Sequence, residues 1–227
     1  MKEKIIPLGN DRSALLVVDM QPDFMPGGAL AVQGGDEIVA PLGALMESGL
    51  FDVIVATQDW HPRDHVSFAS NHPGRMPFET IELYGYPQTL WPDHCVQGTP
   101  GAELHSGLPW HRASAIIRKA TDASTDSYSA LRNNWNPHGE RPPTGLGGYL
   151  INRGVEHVFA CGLARDYCVA WSAEDARDAG FSVSVIWDLC RSIDPSRDDA
   201  LRDDLDARGI AIVTAAQVAQ LLASACE

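Results

Sequence analysis

The sequence predicts an α/β fold, a three-layer sandwich whose six-stranded, mostly parallel sheet carries helices on both faces. Three observations predict it. Unbroken apolar runs of strand length recur along the chain, as in Ala14-Leu15-Leu16-Val17-Val18, and such runs suit strands buried on both faces. Stretches with one apolar face at helical spacing lie between them. Most connections are short and carry helix-starting and helix-stopping residues, and that alternation belongs to a parallel sheet with crossover helices.

Residues 14–18 form the first strand. Asp36 is placed to cap a helix whose Ile38, Val39, Leu42, Leu45 and Met46 share one face, and Gly49 stops it. Residues 51–56 are the second strand. The chain from about residue 57 to residue 114 reads as one long irregular stretch rich in Pro, Gly, His and Trp; a loop of that length in a compact domain is usually functional. Residues 115–118 are a short third strand, and 144–153 a helix despite Gly145, Gly147 and Gly148. Residues 155–160 are the fourth strand, 166–179 a helix stopped at Gly180, and 181–187 the fifth strand. A charged helix spans 195–208, with Pro195 in its first turn and Gly209 as its stop. Residues 210–213 are the sixth strand, and Val218, Leu221, Leu222 and Ala225 mark the inner face of a last helix. No repeat, linker or low-complexity tract interrupts this pattern, so residues 1–227 read as a single domain, long enough for a full core.

Hydrophobic residues make up 44% and charged residues 21%, an ordinary globular balance. A formal net charge of -13 argues against a nucleic-acid or anionic-membrane surface, both of which need clustered Lys and Arg. No run approaches the roughly 18 apolar residues of a membrane-spanning helix. Met1-Lys2-Glu3-Lys4-Ile5-Ile6-Pro7 has no apolar stretch suited to a signal peptide. Five cysteines without a CxxC pair are expected to be reduced thiols in a cytoplasm. A homo-oligomer is compatible with the sequence, which gives no interface signal of its own.

In a parallel sheet, ligands bind beyond the carboxyl ends of the strands. Asp19 ends the first strand, Asp59 and His61 follow the second, Lys119 ends the third and Cys168 follows the fourth. Any one of these is ordinarily a solvated strand end, and a lone cysteine is more often a buried structural thiol. Several complementary groups on one rim are harder to dismiss. Asp19, Lys119 and Cys168 suit attack on an acyl carbon. Cys168 is the nucleophile, with Lys119 and the first amides of the following helix expected to lower its pKa. Asp19 takes the thiol proton and returns it to the leaving amine. The backbone N–H groups of Ala164 and Cys168 are candidate oxyanion donors.

Asp59-Trp60-His61 places two ligand types on one side of an extended segment, and His94, in Trp91-Pro92-Asp93-His94-Cys95, closes from the far end of the long loop. Two imidazoles and a carboxylate suit one divalent ion: zinc first, iron or manganese next. The same histidines also read as polar loop residues bonded to backbone. His65 is a weaker candidate for a fourth ligand. Phe24, Trp91 and Tyr128 are expected to wall a flat apolar pocket, with Leu163 beside them, for a small planar substrate.

The segments Val17-Val18-Asp19-Met20-Gln21-Pro22-Asp23-Phe24, Thr57-Gln58-Asp59-Trp60-His61-Pro62, the run from Trp91 to Ala102 and the run from Gly162 to Val169 together resemble the isochorismatase-like cysteine hydrolases in their nicotinamidase branch. The resemblance covers nearly the whole chain, with the motifs in family order. It implies hydrolysis of nicotinamide to nicotinate and ammonia, with pyrazinamide as a further substrate. It implies the triad Asp19, Lys119 and Cys168, and a metal on Asp59, His61 and His94 that anchors the pyridine nitrogen. It also implies a cis peptide before Ala164, and Phe24 and Trp91 against the substrate ring. Arg165 departs from the family pattern, where Thr is frequent, and is expected to point outward. The segment 133–144 is distinctive. Relatives acting on carbamoyl or ureido substrates share the triad without the metal cluster, and a non-catalytic ligand-binding module is the alternative of another class.

Overall fold

The computed structural model describes residues 12–224. Six parallel strands form one sheet: β1 (Arg12–Val18), β2 (Val53–Asp59), β5 (Ala115–Lys119), β6 (Val155–Leu163), β7 (Ser182–Arg191) and β8 (Ala211–Val213). Their order across the sheet is β5-β2-β1-β6-β7-β8. The direction of winding reverses between β1 and β6, which opens a crevice at the carboxyl ends of those two strands. α1 (Val39–Glu47) follows β1, α2 (Leu146–Asn152) precedes β6, α3 (Ala170–Asp178) and α4 (Asp198–Ala207) follow β6 and β7, and α5 (Ala215–Ser224) comes last. Right-handed crossovers leaving the sheet centre in opposite directions put α1 and α3 on opposite faces.

The strands form where the apolar runs predict them, because a central parallel strand is covered on both sides. All seven residues of β2 are buried, including Thr57, Gln58 and Asp59. β1 and β6 approach closely at Gly162. Its φ is 112°, and a Cβ there would lie 2.1 Å from the Val18 carbonyl oxygen, so only glycine fits. Among the described residues, no helix is long and apolar enough to cross a membrane.

The structure corrects several boundaries. The long loop contains an antiparallel hairpin, β3 (Thr80–Leu83) with β4 (Tyr86–Thr89), closed by Tyr84 and Gly85 at φ 55° and 87°. Two positive φ values in a two-residue turn match the twist of a hairpin. Phe51 packs in the core ahead of β2 rather than inside it. β7 runs on to Arg191, past Trp187, because Cys190 and Arg191 still pair with Gly162 and Leu163. The helix after β6 opens with a π turn, Arg165–Val169, in which the Val169 N–H reaches the Ala164 carbonyl at 3.0 Å. The expectations about Met1 to Pro7, Ala225 and Cys226 lie outside the described residues.

Candidate active site

Asp19 leaves β1 with φ 47°, Ala120 leaves β5 with φ 53°, and Cys95, next to His94, has φ 45°. Left-handed backbone at non-glycine residues is uncommon and gathers at functional sites. At the first two of these positions the chain turns sharply as a strand ends.

The Lys119 ammonium stands at the centre and is almost fully buried. Its Nζ lies 2.8 Å from Asp19 Oδ2, 3.0 Å from the Ser127 carbonyl oxygen and 3.4 Å from Cys168 Sγ. It also forms an ion pair with Asp59 Oδ1. Thr57, inside β2, holds the other oxygen of Asp19: its hydroxyl donates to Asp19 Oδ1 at 2.6 Å and accepts from the Asp19 N–H at 3.0 Å. Gln21 fixes Asp59 by accepting from its N–H at 2.7 Å and donating to its carbonyl at 2.9 Å.

Burial dominates the protonation states. It pushes Asp19 up to about 6, with Lys119 pulling the other way and Asp59 adding to the rise. Burial also works against charge on Asp59, but Lys119, His61 and His94 outweigh it and hold that carboxyl well below its ordinary value. Lys119 is lifted well above its ordinary value because Asp19 and Asp59 overcome its own desolvation. Cys168 contradicts the sequence expectation. Burial drives its thiol well above the ordinary value, Asp19 and Asp59 add to that, and Lys119 does not offset them. The resting group is a neutral thiol, not a thiolate stabilised by helix amides.

Asp59, His61 and His94 offer ligand atoms that all lie within 4.8 Å of one another. Asp59 Oδ2 is 3.6 Å from His61 Nε2 and 3.8 Å from His94 Nε2. His94 Nδ1 is 2.8 Å from the Pro92 carbonyl, which takes the ring proton and leaves Nε2 as a lone-pair donor. His61 is buried, yet neither ring nitrogen has a hydrogen-bond partner, and burial pushes its pKa down to about 4. A neutral buried imidazole with two unsatisfied nitrogens beside a carboxylate is the donor chemistry a divalent ion needs. His65 is engaged elsewhere: Nδ1 meets Ser67 Oγ at 2.7 Å and Nε2 faces the Thr125 carbonyl at 3.3 Å.

A cavity opens onto both clusters. Cys168, Ala164, Asp59, His61 and His94 line it, with Phe24, Trp91 and Tyr128 among its aromatic neighbours. Trp91 and Tyr128 meet Tyr167 edge-on at 4.8 and 5.4 Å between ring centres, and the Trp91 indole donates to the Tyr128 hydroxyl at 3.1 Å. Phe24 stands edge-on to His94 at 5.5 Å. Asp19 and Lys119 lie behind this surface and reach the cavity through Cys168. The peptide between Leu163 and Ala164 is cis.

Two expectations need correction. Leu163 does not line the cavity: its side chain is fully buried and points toward Gly35. Arg165 does not point outward. It is buried against Trp187, pairs with Asp198 and donates to the Trp187 and Cys190 carbonyls at 3.0 and 2.6 Å, away from the cavity. Leu30, Asp126, Ser127, Tyr167 and Ile193 also line the cavity and were not singled out from sequence. Tyr167 precedes Cys168 directly, and Asp126 and Ser127 precede Tyr128, so adjacency was the available signal. Leu30 and Ile193 carried none.

Comparison with known proteins gives a consistent picture. An Isochorismatase domain model matches residues 13–217. The chain is 51% identical over 181 residues to a nicotinamidase of Acinetobacter baylyi, covering 80% of this chain and 82% of that one. A protein of L. infantum solved in complex with nicotinate superposes with a TM-score of 0.80 at 37% identity, over 93% of this chain and 96% of that one. A pyrazinamidase of Pyrococcus horikoshii solved in complex with zinc superposes with a TM-score of 0.71 at 38% identity, over 89% and 99%.

Proposed function

The chain belongs to the isochorismatase family, and we propose that its activity is the one the nicotinamidases within that family carry out, hydrolysis of nicotinamide to nicotinate and ammonia. The observation that carries this reading is the adjacency of two clusters on one cavity: a buried Asp–Lys–Cys set and an Asp–His–His set with unsatisfied ring nitrogens. Relatives acting on carbamoyl or ureido substrates would not need the second cluster. The cavity with its aromatic neighbours suits pyrazinamide as well.

Catalysis proceeds by acyl transfer. Asp19, ionised above about pH 6, accepts the Cys168 thiol proton as Sγ attacks the carboxamide carbon. The N–H groups of Ala164 and Cys168 receive the oxyanion. Lys119 keeps a positive charge beside Asp19 and Sγ throughout. Protonated Asp19 then gives its proton to the departing amine, which leaves as ammonia and a thioester on Cys168. Asp19 next takes a proton from water, whose oxygen attacks the thioester carbon; nicotinate leaves and the thiol regains its proton. Asp59, His61 and His94 would hold one divalent ion, zinc in first place, which supplies a Lewis-acid partner for the pyridine nitrogen. Trp91, Tyr128 and Phe24 orient the ring and exclude bulk water. The family match over residues 13–217 supports a single hydrolase domain, and the four described cysteines, all free thiols, support a reducing, cytoplasmic compartment.

The test is ammonia release from nicotinamide by the purified protein and by Cys168→Ala, before and after chelation and zinc add-back. Release that disappears in the variant and falls on chelation is expected. Robust release by Cys168→Ala would remove the nucleophile assignment, and no release by folded, zinc-replete protein would remove the substrate assignment.

A further inference from the structure

Phe24 and Leu30 both line the cavity, and both hang from a loop that Asp23 ties together. The Asp23 carbonyl accepts from the Leu30 N–H at 2.9 Å, and the Phe24 carbonyl accepts from Val32 at 3.0 Å. One carboxylate oxygen of Asp23, Oδ1, accepts from the Ala29 N–H at 3.4 Å. The other, Oδ2, crosses to a distant segment and accepts from the Cys95 N–H at 2.7 Å. Cys95 is the residue after His94 and sits at φ 45°, an uncommon conformation for a non-glycine residue, and this bond is made from its own N–H. Phe24 and His94, the two side chains whose backbones Asp23 joins, meet edge-on in the site.

A second, independent observation concerns the seat of Asp23. A Cβ added at Gly101 would lie 2.2 Å from the carboxylate carbon and from both of its oxygens. Gly101 has no positive φ to explain it. Its missing side chain is the notch the carboxylate occupies.

We propose that Asp23, seated in the notch left by Gly101, is a positioning residue that locks the Phe24–Leu30 wall and the His94 ligand into one unit. This rests on the metal-containing nicotinamidase reading above. Asp23 does not line the cavity, so its effect passes through Phe24, Leu30 and His94.

The experiment compares Asp23→Ala, Asp23→Asn, Gly101→Ala and the double variant Asp23→Ala/Gly101→Ala with wild type. Four quantities are measured: calorimetric zinc affinity of the metal-free protein, KM and kcat for nicotinamide, and the melting temperature. Loss of one hydrogen bond to a charged group predicts about tenfold weaker zinc binding and about tenfold higher KM in Asp23→Ala and in Gly101→Ala, with kcat changed far less. Asp23→Asn keeps a carbonyl acceptor for Cys95 and recovers most of both losses. The double variant is no worse than Asp23→Ala alone, because the new methyl group fills the space of the lost carboxylate; this non-additivity is what a general destabilisation does not produce. Additive losses, or wild-type zinc affinity and KM in Asp23→Ala, overturn the proposal. If Asp23→Ala does not fold, Gly101→Ala with wild-type values overturns it equally. Wild type that binds zinc without releasing ammonia refutes the substrate reading while the zinc titrations still judge Asp23; wild type that binds no zinc overturns both.

Discussion

Thr57→Val is the sharpest probe of Asp19 as the base. The change preserves shape and removes the hydroxyl that donates to Asp19 Oδ1 at 2.6 Å. Burial has raised Asp19 from 3.8 to about 6, and the Thr57 bond is one of the contacts that keep it from rising further. A hydrogen bond to a charged group is worth about 1.5–3 kcal/mol. At about 1.4 kcal/mol per pKa unit, its loss lifts Asp19 by about one to two units, to about 7–8. The sign follows from the role. A base works only when ionised, so the acidic limb of kcat/KM moves up with the pKa, and at pH 6.5 the variant is roughly four- to thirtyfold slower relative to its own plateau. Near pH 9 the two enzymes converge. Stability gives a second readout with the opposite sense. A carboxylate whose folded pKa is raised stabilises fully below its unfolded value and loses that contribution as pH rises through the folded value, about 6 in wild type and one to two units higher in the variant. The assay is ammonia release across pH 5–9 with zinc-saturated wild type, Thr57→Val and Thr57→Ser; serine keeps the donor and should keep the limb. An acidic limb that stays put in Thr57→Val, or that moves equally in Thr57→Ser, refutes Asp19 as the titrating base.

Three further outcomes are expected. Because burial and two carboxylates hold the Cys168 thiol up, its iodoacetamide labelling in the metal-free protein should keep rising to pH 9 and beyond, and a plateau below pH 7 would show a thiolate already formed at rest and refute the neutral resting thiol. His61→Leu should cut zinc affinity by more than the 10–100-fold that losing an outer partner of a ligand costs, while the metal-free melting temperature does not fall, since neither ring nitrogen has a hydrogen bond to lose; a large drop in melting would mean that the imidazole is structural. Gly162→Ala drives a methyl group to 2.1 Å from the Val18 carbonyl and should cost upwards of about 4 kcal/mol, read as insoluble or unfolded protein; a well-folded variant with wild-type melting would contradict the close approach of β1 and β6.

The rim was legible because parallel strands are apolar until they end. A polar residue after such a run, as at Asp19 and Lys119, is where the sheet meets its ligand, although which strand ends lie side by side comes from the structure, where β6 sits next to β1. What the sequence could not show depends on contacts between distant segments or on the cost of burial. Thr57 reads as one more residue of a strand, and its hold on Asp19 spans 38 positions. Ser127 acts through its carbonyl, which every residue type has. The β3–β4 hairpin is four residues a side: Ile81 and Leu83 alternate in β3 over too short a run to announce a strand, and β4 includes Pro87. Arg165 looked like a surface cation because no local pattern foretells Asp198 and Trp187 arriving to bury it. The helix amides near Cys168 suggested a depressed pKa, but a short-range dipole effect is smaller than the desolvation of a sulfur anion beside two carboxylates.

That reversal orders the chemistry. Asp59 and Lys119 are charged, and above about pH 6 so is Asp19, which leaves the buried cluster with one net negative charge. A free thiolate would make it two, in a place where water screens neither. Moving the thiol proton onto Asp19 instead keeps the total unchanged: one anion is traded for another, and both lie against the same ammonium, Asp19 Oδ2 at 2.8 Å and Sγ at 3.4 Å from Nζ. The activated nucleophile is therefore created by transfer within the cluster rather than stored at rest. A fixed cation between base and nucleophile serves this arrangement whichever of the two carries the negative charge. It also explains why the cation is Lys119 at the end of β5, fully desolvated, rather than a solvent-exposed residue whose charge water would screen. The same transfer run backwards delivers the proton to ammonia, so one carboxylate with a pKa near 6 serves as base and acid in turn, which neither an exposed Asp near 4 nor a fully neutralised one does.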